Sequence, residues 1–342
     1  MKKLKNTLGL IAATLLFVCS CGHHDNQHHA HRGVYHWKTT YNPTNWEKQW
    51  MKDHKVDRLY IKLFDVDAGY KNGYLDYSMV PVATTRFVQD LPDGLEVVPV
   101  VYITVDAIRG LKAKNQWNTP YDYYADILIE RITKMMQQNG KPQFQEVQLD
   151  CDWTQQTKET YFRLCIAVGK VLHSRGKTLS GTLRLHQLRE VEQPAKVHYG
   201  WRDTIPFDRS LLMCYNTGHL QDPKTKNSIL DFDDVLPYLK QYHSSNLPRT
   251  DVAYPIYGWG VEFHKDGGFK KIVSSHSLNR EKESLDVENT VIREEWGEPE
   301  DILQTQASIP TLDTCHTVIL YHLDSLNLSR YSYEDIENFY SR

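Results

Sequence analysis

Residues 144–153 read Phe-Gln-Glu-Val-Gln-Leu-Asp-Cys-Asp-Trp. Apolar and polar side chains alternate toward the end of this run, which is the period of a β-strand. Asp150 and Asp152 therefore share one face, while Leu149 and Cys151 share the other. A helical pattern follows at once, from Thr157 to Ser174, and Gly176 ends it. A second apolar run comes next, from Thr178 to Leu185. Strand, helix and strand in this order form the unit from which parallel sheets are built.

Working outward, the same kind of run recurs along the chain. Before Phe144 lie Gly33–Lys38, Val56–Val66 and Leu95–Val105; after Leu185 lie Leu211–Asn216, Asp251–Tyr257 and Thr317–Leu323. Helical patterns occupy Pro43–His54, Asp122–Gln138, Asp231–Tyr242 and Tyr333–Tyr340. Eight strands with intervening helices over roughly 300 residues predict an α/β fold, a single-domain (β/α)8 TIM barrel. Helices after the second, fifth and seventh strands are poorly marked. The rival, an open doubly wound sheet, lacks its glycine-rich phosphate loop after the first strand. Gly260–Ile309 is long, charged and irregular, and reads as an insertion after the seventh strand.

The N-terminus reads as a targeting segment. Lys2, Lys3 and Lys5 precede an apolar run from Leu8 to Val18 that is too short to span a bilayer. The run ends in Val18-Cys19-Ser20-Cys21-Gly22, which resembles a bacterial lipobox with Cys21 as the lipidated residue. An ordinary secretory signal is the alternative. The expected organisation is a signal over 1–20, a His-rich flexible tether over 21–32 and a barrel over 33–342. The expected location is the cell envelope, with membrane contact only through the lipid anchor.

Removing residues 1–20 takes three Lys and no acid, which moves the formal charge from −3 to −6. That balance argues against nucleic acid as a partner. Beyond Cys21 the cysteines are Cys151, Cys165, Cys214 and Cys315, without metal spacing. Cys151 and Cys214 fall in strand-like runs and read as small core residues. No metal site or other cofactor is expected. The 21 Tyr and 8 Trp suit carbohydrate binding, because sugar C–H faces pack on flat rings.

A TIM barrel carries its site at the C-terminal ends of its strands, and here those ends are polar. Asp150 and Asp152 lie about 7 Å apart along one strand. Their repulsion raises one pKa, the arrangement that acid/base chemistry on a glycosidic bond requires. They are the candidate acid/base pair, with Tyr215 as a third catalytic candidate. Candidate sugar-binding residues are Tyr35, Trp37, Asp65, Tyr102, His186, Asn216, Tyr257, Trp259 and Tyr321. Glu262 is a candidate replacement acid or a solvated loop residue, and the acid-rich stretch Val291–Glu300 reads as a solvated face.

The motifs LDCDW, LLMCYN and AYPIYGWG resemble a worn version of the family 18, chitinase-type glycoside hydrolases. That family carries Asp-x-x-Asp-x-Asp-x-Glu on strand four, Met-x-Tyr-Asp on strand six and a Gly-x-Pro-x-Tyr-Gly-like stretch on strand seven. Asp150 and Asp152 match its second and third aspartates, Met213 and Tyr215 its Met and Tyr, and Pro255, Tyr257 and Gly258 its strand seven. Val147 replaces the first Asp, Asn216 the strand-six Asp and Thr154 the catalytic Glu. In the family that Glu protonates the leaving oxygen, which Thr154 cannot do. The chain also resembles an uncharacterised family of bacterial barrel proteins that open with a Tyr-x-Trp-like strand and carry Asp-x-Asp on strand four. The resemblance implies an oligosaccharide or polysaccharide ligand, either cleaved by a hydrolase or held by a non-catalytic glycan-binding or envelope-assembly lipoprotein.

Overall fold

Every residue of Glu146–Asp150 is buried, because this strand has neighbours on both sides and side chains packed on both faces. The computed structural model describes residues 30–71, 74–115, 121–192, 205–240, 249–276, 289–309 and 316–341. The signal, Cys21, Cys315 and the tether through residue 29 lie outside them.

Eight parallel strands form the frame: β1 (His31–His36), β2 (Arg58–Lys71), β3 (Glu96–Ile103), β4 (Glu146–Asp150), β5 (Thr178–Arg184), β6 (Arg209–Met213), β7 (Thr250–Pro255) and β8 (Thr317–Tyr321). Each pairs with the next in parallel. The cylinder closes because β1 also pairs with β8, with Val34 opposite both Leu59 and Leu320. This is the expected TIM barrel. β1 starts at His31, inside the span read as tether.

Two apolar clusters hold the barrel. Tyr35, Tyr60, Val98, Leu211 and Ile319 pack together in one, as inward layers of a filled barrel do. The larger cluster joins the outer strand faces to the helices and includes Leu149, Cys151, Cys165 and Cys214. Helix Lys158–His173 contributes Phe162, Cys165 and Leu172 to it. Helix Asn45–Asp53 begins in a capping box between Thr44 and Glu47, and helix Tyr333–Tyr340 in another between Ser332 and Asp335.

The connections differ from the sequence reading in three places. Among the described residues, no helix follows β2. The strand runs on to Lys71 and folds back through an antiparallel partner, Tyr74–Val82. A helix at Val105–Asn115 precedes the expected one, which spans Tyr121–Gln138.

Among the described residues, the insertion after β7 forms regular structure. Gly258–His264 pairs antiparallel with Phe269–Ser274 on one side and Thr290–Trp296 on the other, and helix Pro299–Ser308 follows. Val261, Phe263 and Val273 bury their side chains, and the charges that disguised the pattern are paired. Lys270 meets Glu262 at 2.9 Å and Arg293 meets Glu295 at 2.5 Å. Glu295, expected on a solvated face, is 2% exposed. β7 ends at Pro255, so Tyr257 stands in the connection and Trp259 in the next strand.

At the end of the barrel opposite the mouth, polar groups fill the interior. Arg209 donates to both carboxylate oxygens of Asp251 at 2.7 and 3.1 Å. Ser180 donates to Glu146 at 2.5 Å. Burial, followed by the nearby Asp251 charge, pushes Glu146 up to about 7.

Candidate functional site

A cavity of about 450 Å³ opens at the C-terminal ends of the strands, and every barrel strand or the turn after it contributes to its wall. That is the ordinary size of a small-ligand site. β4 supplies Asp150 and, just past its end, Asp152; both point into the mouth, as the alternation along the strand requires. β6 leads into Tyr215 and Asn216, and β8 ends in Tyr321. Trp37 follows β1, while Tyr257 and Trp259 follow β7.

The two aspartates differ in surroundings. Arg184, at the end of β5, grips Asp152 with Nε and a terminal nitrogen at 2.6 and 3.0 Å. This is the fork geometry that fixes a carboxylate in one orientation. Asp150 is 7% exposed and accepts a hydrogen bond from Thr182 Oγ1 at 2.6 Å. Burial, then the charge of Asp152, pushes Asp150 up to about 6.

Aromatic rings complete the wall. Tyr215 and Tyr321 stack with centroids 5.4 Å apart, and Tyr257 meets Tyr321 edge-on at 5.6 Å. Burial raises the phenols of Tyr102, Tyr215, Tyr257 and Tyr321, so they remain neutral hydroxyls. The Tyr257 hydroxyl donates to Asn216 Oδ1 at 2.7 Å. Asn216 has φ 58°, a left-handed conformation that Asn tolerates better than most residues. Trp259 is anchored by its indole N–H, which donates to Glu295 at 2.8 Å.

Three residues that the sequence had suggested, Tyr35, His186 and Glu262, are not on the cavity wall, nor is Thr154, which replaces the family's Glu. Tyr35 is 2% exposed inside the barrel, where its hydroxyl donates to Gln148. A glycan cannot reach it. His186 is exposed in the turn after β5, away from the lining. Glu262 is 1% exposed and held between Lys270 and Lys271, so it is neither a solvated loop residue nor a substitute acid. Thr154 turns toward Thr157, with 3.3 Å between the hydroxyls.

Lys62 is on the wall although sequence reasoning missed it. Strict alternation sends residues three apart to opposite faces, yet Lys62 meets Asp65 at 3.0 Å. A register shift between Lys62 and Phe64 in the pairing with β3 brings both to one side. His322 also lines the cavity, and burial holds its imidazole down at about 4, hence neutral. Among the described residues, no cluster of three or more His, Cys, Asp or Glu is placed to hold a metal ion.

No protein-family model matches the chain. No curated protein matches it either. Solved structures do. A family 18 chitinase, ChiB, from the chitin utilization locus of Flavobacterium johnsoniae superposes with a TM-score of 0.54 at 13% identity, covering 92% of this chain and 93% of that one. The spore cortex-lytic enzyme SleL of Bacillus megaterium gives 0.52 at 14% identity, over 92% of this chain and 75% of that one. The Group IV chitinase of Ostrinia furnacalis, solved in complex with allosamidin, gives 0.54 at 10% identity over 91% and 98%. At these identities the likeness is one of fold: the chain is a TIM barrel similar to those of family 18 chitinases.

Proposed function

We propose that this chain is an exported, lipid-anchored protein that binds an oligosaccharide in the cavity at the barrel mouth. One observation carries the choice of binding over cleavage. Asp152 is gripped by Arg184 through both of its oxygens, and the next position on that face, Thr154, offers no carboxyl group. An acid that must deliver a proton to a leaving oxygen needs a carboxyl free to turn toward it, and both oxygens of Asp152 are taken by the guanidinium. The rings of Trp37, Tyr257, Trp259 and Tyr321, with the Asn216 amide, supply flat faces and hydrogen-bonding groups for sugar. Chitinases of similar fold have been solved with allosamidin and with (GlcNAc)4, which makes an oligosaccharide the natural first ligand to try. Lipidation at Cys21 rests on the lipobox-like Val18–Gly22.

Hydrolysis is the second reading. Asp150, pushed up to about 6, favours it as a candidate proton donor beside Asp152. Calorimetry and product analysis across an oligosaccharide panel separate the two. Binding without product supports a binding protein. Product that disappears in Asp152→Asn supports the hydrolase, and neither binding nor product removes both. Incorporation of labelled fatty acid, lost in Cys21→Ala, tests the anchor; continued labelling of the variant refutes it.

A further inference from the structure

The charges on the cavity wall are unequal. Three carboxyl groups, Asp65, Asp150 and Asp152, face two cations, Lys62 and Arg184, while His322 is neutral. Both cations are committed: Lys62 sits 3.0 Å from Asp65 and Arg184 sits 2.6 Å from Asp152. Asp150 is left with a hydroxyl, that of Thr182, and no cation within ion-pair distance among the described residues. Its side chain is more than nine-tenths buried yet lines the cavity.

Rings surround this carboxyl. Tyr102 is its register partner on β3, and Tyr215 and Tyr321 lie close enough for its charge to perturb their phenols. A carboxylate without a cation, walled by aromatic faces, is the environment that recognises an ammonium group, through a charge-assisted hydrogen bond and cation–π attraction together.

Resting on the glycan-binding reading, we propose that the cavity selects an amino sugar whose amino group is free, not acetylated, with the ammonium seated on Asp150 between Tyr102, Tyr215 and Tyr321. An acetamido group offers only neutral hydrogen bonds and leaves the surplus carboxyl uncompensated. An ammonium balances it.

The electrostatic surroundings of Asp150 set the sign of the pH dependence. Burial, then the charges of Asp152 and Asp65, oppose its ionisation, and Thr182 and Arg184 favour it; the Cys151 thiol, raised by burial, stays neutral. The phenols facing it, Tyr35, Tyr102, Tyr161, Tyr215 and Tyr321, are all raised by burial and remain neutral. Asp150 titrates near 6, so an ammonium ligand binds best above that pH and loses affinity below it. A neutral ligand that needs a proton from Asp150 behaves in the opposite way.

The test is calorimetric titration of the full chain with glucosamine tetrasaccharide, with N-acetylglucosamine tetrasaccharide and with a simple alkylamine. The range is about pH 4.5 to 6, below the near-neutral titration of a sugar amine, and the alkylamine is the reference that stays protonated throughout. The free-amine sugar is expected to bind about tenfold to a hundredfold more tightly than the acetylated one, the size of one hydrogen bond to a charged group. Its affinity is expected to fall severalfold between pH 6 and 4.5, and Asp150→Asn is expected to abolish the preference. If that variant does not fold, the wild-type pH profile decides. Preference for the acetylated sugar, or affinity that rises as pH falls, overturns the inference and leaves the glycan reading standing. Alkylamine binding as tight as the amino sugar overturns the sugar part, and binding of neither tetrasaccharide overturns both.

Discussion

Replacing Arg184 by Met removes the guanidinium and keeps much of the stem that covers Tyr215, whose ring centroid lies 5.8 Å from the guanidinium carbon. Two charge-assisted hydrogen bonds to Asp152 disappear, at 2.6 and 3.0 Å. Breaking a fully buried pair by removing one partner costs about 3–5 kcal/mol. Here the side chains are 22% and 34% exposed, so water at the cavity mouth partly replaces the lost partner. A loss of about 2 kcal/mol is expected. In a chain of this size that lowers Tm by about 3 °C. The same change removes a positive charge that favours ionised Asp150, whose midpoint therefore rises above its starting value of about 6. Differential scanning calorimetry reads the first effect, and carbon-13 NMR of labelled aspartate the second. An unchanged Tm together with an Asp150 midpoint at or below that of the parent protein would refute the account of the pair.

Three further changes follow from the structure. In Gly297→Ala the new Cβ falls 2.1 Å from the Pro255 carbonyl oxygen, a backbone contact that cannot turn aside; a loss of more than about 3 kcal/mol, or failure to accumulate folded protein, is expected in chemical denaturation. The Lys38 ammonium, 2.8 Å from Asp324, holds that carboxyl down from 3.8 to about 2, against the opposing effect of burial. The stability it contributes is present above the unfolded value and is lost as pH falls through about 2; this is worth about 2 kcal/mol in the parent and is expected to shrink in Lys38→Ala, as read from unfolding free energies between pH 5 and 2. Glu146 is raised to about 7, so its protonated form favours folding, and that contribution is lost as pH rises from about 4.5 to 7. Glu146→Gln keeps an acceptor for Ser180 and is expected to flatten the decline in stability between pH 5 and 8, which urea titrations at several pH values measure.

Much of this protein was legible along the chain. A strand buried on both faces is rich in apolar residues, and a parallel strand must be followed by a crossover, so the eight runs and their barrel could be read without coordinates. The alternation through Leu149, Asp150, Cys151 and Asp152 decided which side chains face the mouth, because a strand's period leaves no other choice. What the sequence could not show is what meets what across the barrel. Asp152 and Arg184 are 32 residues apart, and closure of β4 against β5 makes them a pair. Tyr35 belongs to an aromatic strand end like Trp37, yet the strand's pitch leaves it beneath the floor while Trp37 reaches the wall. Lys62 joins Asp65 through a register shift, which is a property of two strands together. Glu262 and Glu295 looked like loop charges, and the small sheet after β7 buried both, Glu262 beside lysines of the neighbouring strand and Glu295 beside Arg293 of its own. Local periodicity determined the elements and their faces; the partners of each charge, and with them the chemistry open to Asp150 and Asp152, were decided only when distant strands came together.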